Sequence, residues 1–235
     1  FVSPKRTTPL VELARGARTE PRIVSTAVAV ARLLGKIPVV MNASDGGIGT
    51  RMLTICLRQT KALAEEGVPV DQIKPALADF GFAMEPFRTA ASGRGHAGAP
   101  RRGRVLSARA GSHHLSDGRA PARRRDVANG QRAVHDAVID DDVLERLLYP
   151  LINEAFLILE EGVARRASDI DVVWINGYGW PRVTGGPMHW AQRTGLATIL
   201  FGLRRHSNAF GGSFRLSRRL IAEATDTSSL AQVAE

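Results

Sequence analysis

RMLTICLRQTKALAEEGV, from Arg51 to Val68, and RLLYPLINEAFLILEEGV, from Arg146 to Val163, are two versions of one segment. Six of the eighteen positions are identical, with Arg-x-Leu opening each copy and Glu-Glu-Gly-Val closing it. Ordinary residue frequencies would give roughly one match over such a window. Each copy reads as a helix. Met52, Leu53, Cys56, Leu57 and Leu63 in the first, and Leu147, Leu148, Leu151, Ile152, Ala155, Ile158 and Leu159 in the second, recur at the three- and four-residue spacing of a buried stripe. Two copies are too few for a solenoid, so the pattern predicts a paired helical domain.

The ends of the copies carry their own signals. Gly67 and Gly162 stand just past the last periodic residue, where a left-handed conformation closes a helix. Thr50 is the expected N-cap of the first copy. Asp140, Asp141 and Asp142 are expected to cap the second and to complement its helix dipole.

Composition bounds the remainder. A chain of 235 residues, 44% of them hydrophobic, can bury a real core as one large or two small domains. No apolar run is long enough to span a bilayer, so no membrane is expected as a partner. Phe1 in place of an initiating Met reads as the start of a processed or partial chain. The one cysteine, Cys56, lies on the apolar stripe and cannot pair internally, which points to a reducing compartment, read as cytoplasmic.

The net charge of +9 is concentrated in one place. Between Ser92 and Arg125 there are nine arginines and one acid, Asp117, so this stretch alone carries +8. It has no aromatics and no periodicity and reads as a disordered linker that cannot offset its ordering entropy. An Arg/Gly-rich arm binding RNA or DNA is the weaker reading, because the rest of the chain is nearly neutral, and nucleic acid is not an expected partner. His113, His114 and Asp117 fall in the same stretch without a second pair of ligands, so no metal is expected there.

The first forty residues differ in character. Leu10 to Leu13 is a short apolar run. Thr19-Glu20-Pro21 starts a helix whose apolar face is Ile23, Val24, Ala27, Val28, Ala31 and Leu34. Gly35 ends it, and Ile37 to Met41 reads as a buried strand. Strand, helix, strand is part of a parallel α/β sheet. The turn NASDGGIGTR that follows places Gly46, Gly47 and Gly49 before a helix, as phosphate-binding loops do, but matches neither common glycine fingerprint, and a hinge is the favoured reading. Later, ASDIDVVWINGYGWPRVTGGPMHW, from Ala167 to Trp190, opens as a helix start and then mixes Gly177, Gly179, Gly185 and Gly186 with Tyr178, Trp180 and Trp190. It reads first as a packing turn and second as a ligand loop. His189 stands beside Trp190 with no acid or nucleophile at a telling spacing, and reads as structural.

The stretch from Glu145 to Leu196, ERLLYPLINEAFLILEEGVARRASDIDVVWINGYGWPRVTGGPMHWAQRTGL, closely resembles the last helical domain of multifunctional β-oxidation proteins that fuse an enoyl-CoA hydratase to a 3-hydroxyacyl-CoA dehydrogenase. FVSPKRTTPLVELARG resembles that family's His-Phe-Phe-Asn/Ser-Pro segment and the strand after it. DGGIGTRML resembles its Asp-Gly-Phe-x-x-Asn-Arg hinge, and VDQIKPALADFGFAMEPF the second helix of its first helical domain. The resemblance implies a mainly α fold: a duplicated helical C-terminal domain of the 3-hydroxyacyl-CoA dehydrogenase type, preceded by a βαβ remnant of a Rossmann-like NAD domain. The expected divisions are residues 1–42 for the edge of the NAD domain, 43–90 for the first helical unit, 91–134 for the basic segment and 135–235 for the second unit.

The family's chemistry is hydride transfer from C3 of a 3-hydroxyacyl-CoA to NAD. A histidine acts as general base, a glutamate orients it, and a serine and an asparagine help to place the substrate oxygen. By register Glu12 takes the glutamate position and Thr50 the asparagine position. The catalytic histidine would immediately precede Phe1, and the dinucleotide loop would lie further upstream. The chain is therefore expected to be inactive alone and to bind NAD weakly if at all, although acyl-CoA and NAD serve the intact family. A homodimer or an N-terminal domain is the expected partner. A non-catalytic helical module or pseudoenzyme remnant is the alternative. At Thr50 a hydroxyl replaces an amide and cannot offer the same donor and acceptor pair. The loss of family register after Phe87 and its recovery near His135 resemble translation of a GC-rich gene in the wrong frame. Reading the DNA between the codons for Pro86 and Asp136 tests this: a family-like helix is expected in another frame.

Overall fold

A computed structural model describes residues 8–68, 70–82, 129–212 and 214–232. The basic segment from Ser92 to Arg125, with His113, His114 and Asp117, lies outside the described residues.

The chain opens with strand β1 (Leu10–Arg15), helix α1 (Pro21–Leu33) and strand β2 (Ile37–Asn42), and the strands pair in parallel with Leu10 opposite Ile37 and Arg15 opposite Asn42. Pro21 is the first helical residue, where its missing N–H and fixed φ do no harm, and Gly35 turns the chain back at a φ of +66°. Only part of the expected face of α1 is covered. Ala31 is buried and Val24, Ala27 and Val28 are half-buried, but Ile23 is 54% and Leu34 63% exposed, because two strands are too narrow to cover the helix.

Helix α2 (Ile48–Glu65) is the first repeat copy, and α4 (Asn129–Glu160) contains the second. They pack along one another in opposite directions. The repeated residues account for this arrangement: Arg51, at the head of copy one, pairs with Glu161 at the tail of copy two at 2.6 Å. Arg146, at the head of copy two, pairs with Glu66 at the tail of copy one at 2.6 Å. Equivalent positions thus exchange equivalent ion pairs about a local two-fold relation. Both tails close alike: Val68 N–H donates to the Leu63 carbonyl and Val163 N–H to that of Ile158, after Gly67 (φ +93°) and Gly162 (φ +69°).

Two expected caps fail. The N-cap of α2 is Gly47, and Thr50 is the third helical residue. Asp140 to Asp142 lie inside α4, which begins upstream at Asn129 and so runs across the expected division at residue 135.

The duplication continues past the repeated helices. Helix α3 (Val70–Asp79) ends in Phe80-Gly81-Phe82, and α5 (Ala167–Gly177) in Tyr178-Gly179-Trp180, with both central glycines at positive φ. The two triplets meet, Phe80 and Phe82 lying 5.3 and 5.2 Å from the Trp180 ring. Trp174 joins the cluster and donates its indole N–H to Met52 Sδ on α2 at 3.0 Å. Helices α6 (Pro187–Thr194), α7 (Leu196–Arg205) and α8 (Arg218–Gln232) complete the second unit. Leu10, Val39 and Met41 of the strands belong to the same buried cluster as both repeat copies, which fixes the strands against the helices. Among the described residues no helix is long and apolar enough to cross a membrane.

Candidate functional site

Glu12 on β1 and Thr50 on α2 come together at one point, the N-terminus of α2. Gly49 donates its backbone N–H to Glu12 Oε1 at 3.1 Å. The carboxylate supplies the cap that no side chain of the turn provides, and it favours the positive end of the helix. Burial pushes the Glu12 carboxyl above its ordinary value, and the amides of Gly49 and Ile48 oppose that only in part.

The glycines of this turn serve close approach. A Cβ on Gly47 would collide with the Glu12 carboxylate, and one on Gly49 would fall inside the Tyr178 ring. The turn is therefore no phosphate cradle, since a carboxylate of the chain itself occupies the place an anion would take.

Tyr178 enters from the second unit. Its hydroxyl lies 3.3 Å from Thr50 Oγ1, and the side chain is buried at 1% exposure. Gly177, just before it, lets α5 approach β1, for a Cβ there would stand 2.5 Å from Leu10 Cδ2. Burial pushes the phenol pKa up, and the nearby Glu12 adds to the effect. Sequence reasoning placed Tyr178 among core aromatics, which its ring is, but missed its hydroxyl. A tyrosine between two glycines, where a phenylalanine would pack equally well, was the available signal.

The Ala167–Trp190 segment, the Tyr178 hydroxyl apart, is held by packing contacts. Asp171 accepts the Met188 N–H at 2.7 Å, and a Cβ on Gly186 would strike Asp171. His189 is exposed, with its ring over Gly185. Cys56 is buried, and desolvation pushes its thiol up to about 12, so it is an inert core residue. Among the described residues no group of three or more His, Cys, Asp or Glu is placed to hold a metal ion.

Among the described residues the glycine turn at the strand-to-helix junction has its Gly49 amide committed to Glu12, so this turn does not offer that donor to a pyrophosphate.

Residues 143–231 match the family described as 3-hydroxyacyl-CoA dehydrogenase, C-terminal domain, and residues 1–44 match 3-hydroxyacyl-CoA dehydrogenase, NAD binding domain. The chain is 32% identical over 255 aligned positions to the peroxisomal bifunctional enzyme of Cavia porcellus, covering 88% of this chain and 34% of that protein. It is 31% identical to the protein of the same name from Homo sapiens, covering 88% of this chain and 35% of the relative. It thus spans about a third of the length of these relatives. The crystal structure of 3-hydroxybutyryl-CoA dehydrogenase from Escherichia coli K12 shares the fold, with a TM-score of 0.67 at 18% identity over 98% of this chain and 70% of that one. With both of the family's domains matched in order along the chain, and with its duplicated helical unit in place, the protein belongs to the 3-hydroxyacyl-CoA dehydrogenase family.

Proposed function

We propose that this chain forms the substrate-facing helical portion of a 3-hydroxyacyl-CoA dehydrogenase, and that by itself it binds 3-oxoacyl- and 3-hydroxyacyl-CoA without oxidising or reducing them. One observation carries this reading: Glu12 and Thr50, which the family resemblance selects from separate elements, converge on the N-terminus of α2. Glu12 would orient an imidazole supplied from outside the described residues. Its Oε1 is held by Gly49, and Oε2 lies over Gly47. Thr50 would face the C3 oxygen of the substrate. The strands and helices share one core, so the two side chains are held on a rigid frame.

The divisions at 1–42 and 43–90 remain part of this reading, with the second helical unit taken from the start of α4 at Asn129 instead of residue 135, as does a reducing, cytoplasmic-type compartment, which the buried, unpaired Cys56 favours.

The test uses the purified chain with NAD and 3-hydroxybutanoyl-CoA, followed by NADH absorbance, together with calorimetric titration of acetoacetyl-CoA. No NADH should form, while acetoacetyl-CoA binds and Thr50→Ala weakens it. NADH produced at an enzymatic rate would show that the base and the cofactor site lie within the chain. Failure to bind acetoacetyl-CoA would favour a non-catalytic interaction module.

A further inference from the structure

We infer that Tyr178 is a positioning residue for the substrate oxygen, acting through Thr50, so that the second helical unit completes the site of the first. The inference rests on the reading that Thr50 faces the C3 oxygen. The family's asparagine would present an amide there, whereas a lone threonine hydroxyl rotates freely and can donate to any neighbour. Here it is not alone. Tyr178 Oη stands 3.3 Å from Thr50 Oγ1, and the phenol is the buried member of the pair.

Burial decides the direction of the bond. A buried phenol that left its hydrogen unpaired would lose a hydrogen bond to water and gain nothing, and among the described residues Thr50 is the partner within reach. Tyr178 therefore donates and Thr50 Oγ1 accepts. The hydrogen of the half-exposed Thr50 hydroxyl is left to point outward, where a carbonyl oxygen can take it. A donor that is itself accepting a hydrogen bond is polarised and donates more strongly. The pair thus restores a directed donor at the position where the amide is lost.

The phenol is also fixed in place. Its ring stacks on Trp174 at 5.2 Å and 30°, Trp174 is tied to Met52 of α2, and the Tyr178 ring fills the space that a Cβ on Gly49 would need. Tyr178 cannot turn away without unpacking the contact between the two units.

The matching ligand is a thioester bearing an oxygen at C3. Calorimetric titration of the full chain with acetoacetyl-CoA, and with butanoyl-CoA, which lacks that oxygen, separates the possible roles. Tyr178→Phe keeps the ring and its packing. It should weaken acetoacetyl-CoA binding about five- to tenfold, in line with one lost hydrogen bond, and leave butanoyl-CoA unchanged. In a Thr50→Asn background the same Tyr178→Phe change should have no effect on either ligand, because the amide needs no support. Equal weakening of both ligands by Tyr178→Phe would make Tyr178 a packing residue and overturn the inference. So would unchanged acetoacetyl-CoA binding in Tyr178→Phe when Thr50→Ala weakens it, with the reading of Thr50 left standing. If Thr50→Ala changes nothing, or the wild-type chain does not bind acetoacetyl-CoA, the assignment of Thr50 fails and Tyr178 falls with it.

Discussion

Arg51 and Arg146 hold the same position in the two copies, and their environments make them different risks. The Arg51 side chain is 18% exposed and bonds Glu154 at 2.6 Å as well as Glu161, and Glu154 is itself largely buried. Removing Arg51 strands that carboxylate, so Arg51→Ala should lower unfolding free energy by about 2–4 kcal/mol in urea titration. Lys61→Ala, which breaks only the exposed 3.5 Å pair with Glu65, should stay within about 0.5 kcal/mol. These pairs also set the response to acid. Glu161, bonded to Arg51, and Glu66, bonded to Arg146, are held below their ordinary value of 4.5. The stability they contribute is complete above that ordinary value and is lost as pH falls through their lowered values. Glu12 behaves in the opposite sense. Its carboxyl is raised, so its ionisation in the folded state costs stability as pH climbs above 4.5, and protonation relieves that cost. Glu12→Gln keeps an oxygen for the Gly49 N–H, and should unfold at higher urea than wild type at pH 7 and at the same urea at pH 3. Wild type being the more stable at pH 7 would mean that the helix terminus outweighs burial.

At the level of elements, the helices were legible because periodic apolar residues and terminal glycines act locally. Gly67 and Gly162 could be read from sequence because a positive φ at a helix end is a demand of the backbone alone. Gly49 could not, because its need for a bare Cα comes from Tyr178, 129 positions away, at the other end of a contact between units. The two kinds of glycine should respond differently. Gly67→Ala has open space and only an unfavourable φ to bear, and should lose about 1 kcal/mol. Gly49→Ala forces the Tyr178 ring aside and should lose about 2–4 kcal/mol and disturb the near-UV aromatic signal, both measured on the urea-unfolding curve. The failed expectation at Thr50 has a similar origin. A local cap is the best guess from sequence, but the α2 terminus is satisfied by Glu12 from a strand 37 residues earlier. Asn153 is a further long-range device: it donates to the Arg215 carbonyl at 2.9 Å and accepts the Ser217 N–H at 2.9 Å, tying α4 to the start of α8.

Across the whole molecule the strand–helix–strand edge stands out. Among the described residues it is a two-stranded sheet carrying a helix with Ile23, Val30 and Leu34 exposed and Leu33 at 86% exposure. Apolar residues grouped beside unpaired strand edges promote association. The chain should therefore show concentration-dependent self-association in sedimentation velocity, and Leu33→Lys with Leu34→Lys should reduce it without changing the far-UV circular dichroism. Unchanged association in that variant would place the contact elsewhere. The reach of sequence reasoning follows from the range of the forces involved. Sequence by itself determined the duplicated helices, their terminal glycines and the parallel strand pair, because periodicity and local turn signals depend on neighbours in the chain, whereas Glu12 and Thr50 were singled out by the resemblance to a family. Only tertiary structure decided that the two copies exchange Arg–Glu pairs, that Glu12 caps α2, and that the Tyr178 hydroxyl meets Thr50. Those contacts join residues far apart in sequence, and their energies depend on burial, which exists only once the units have packed.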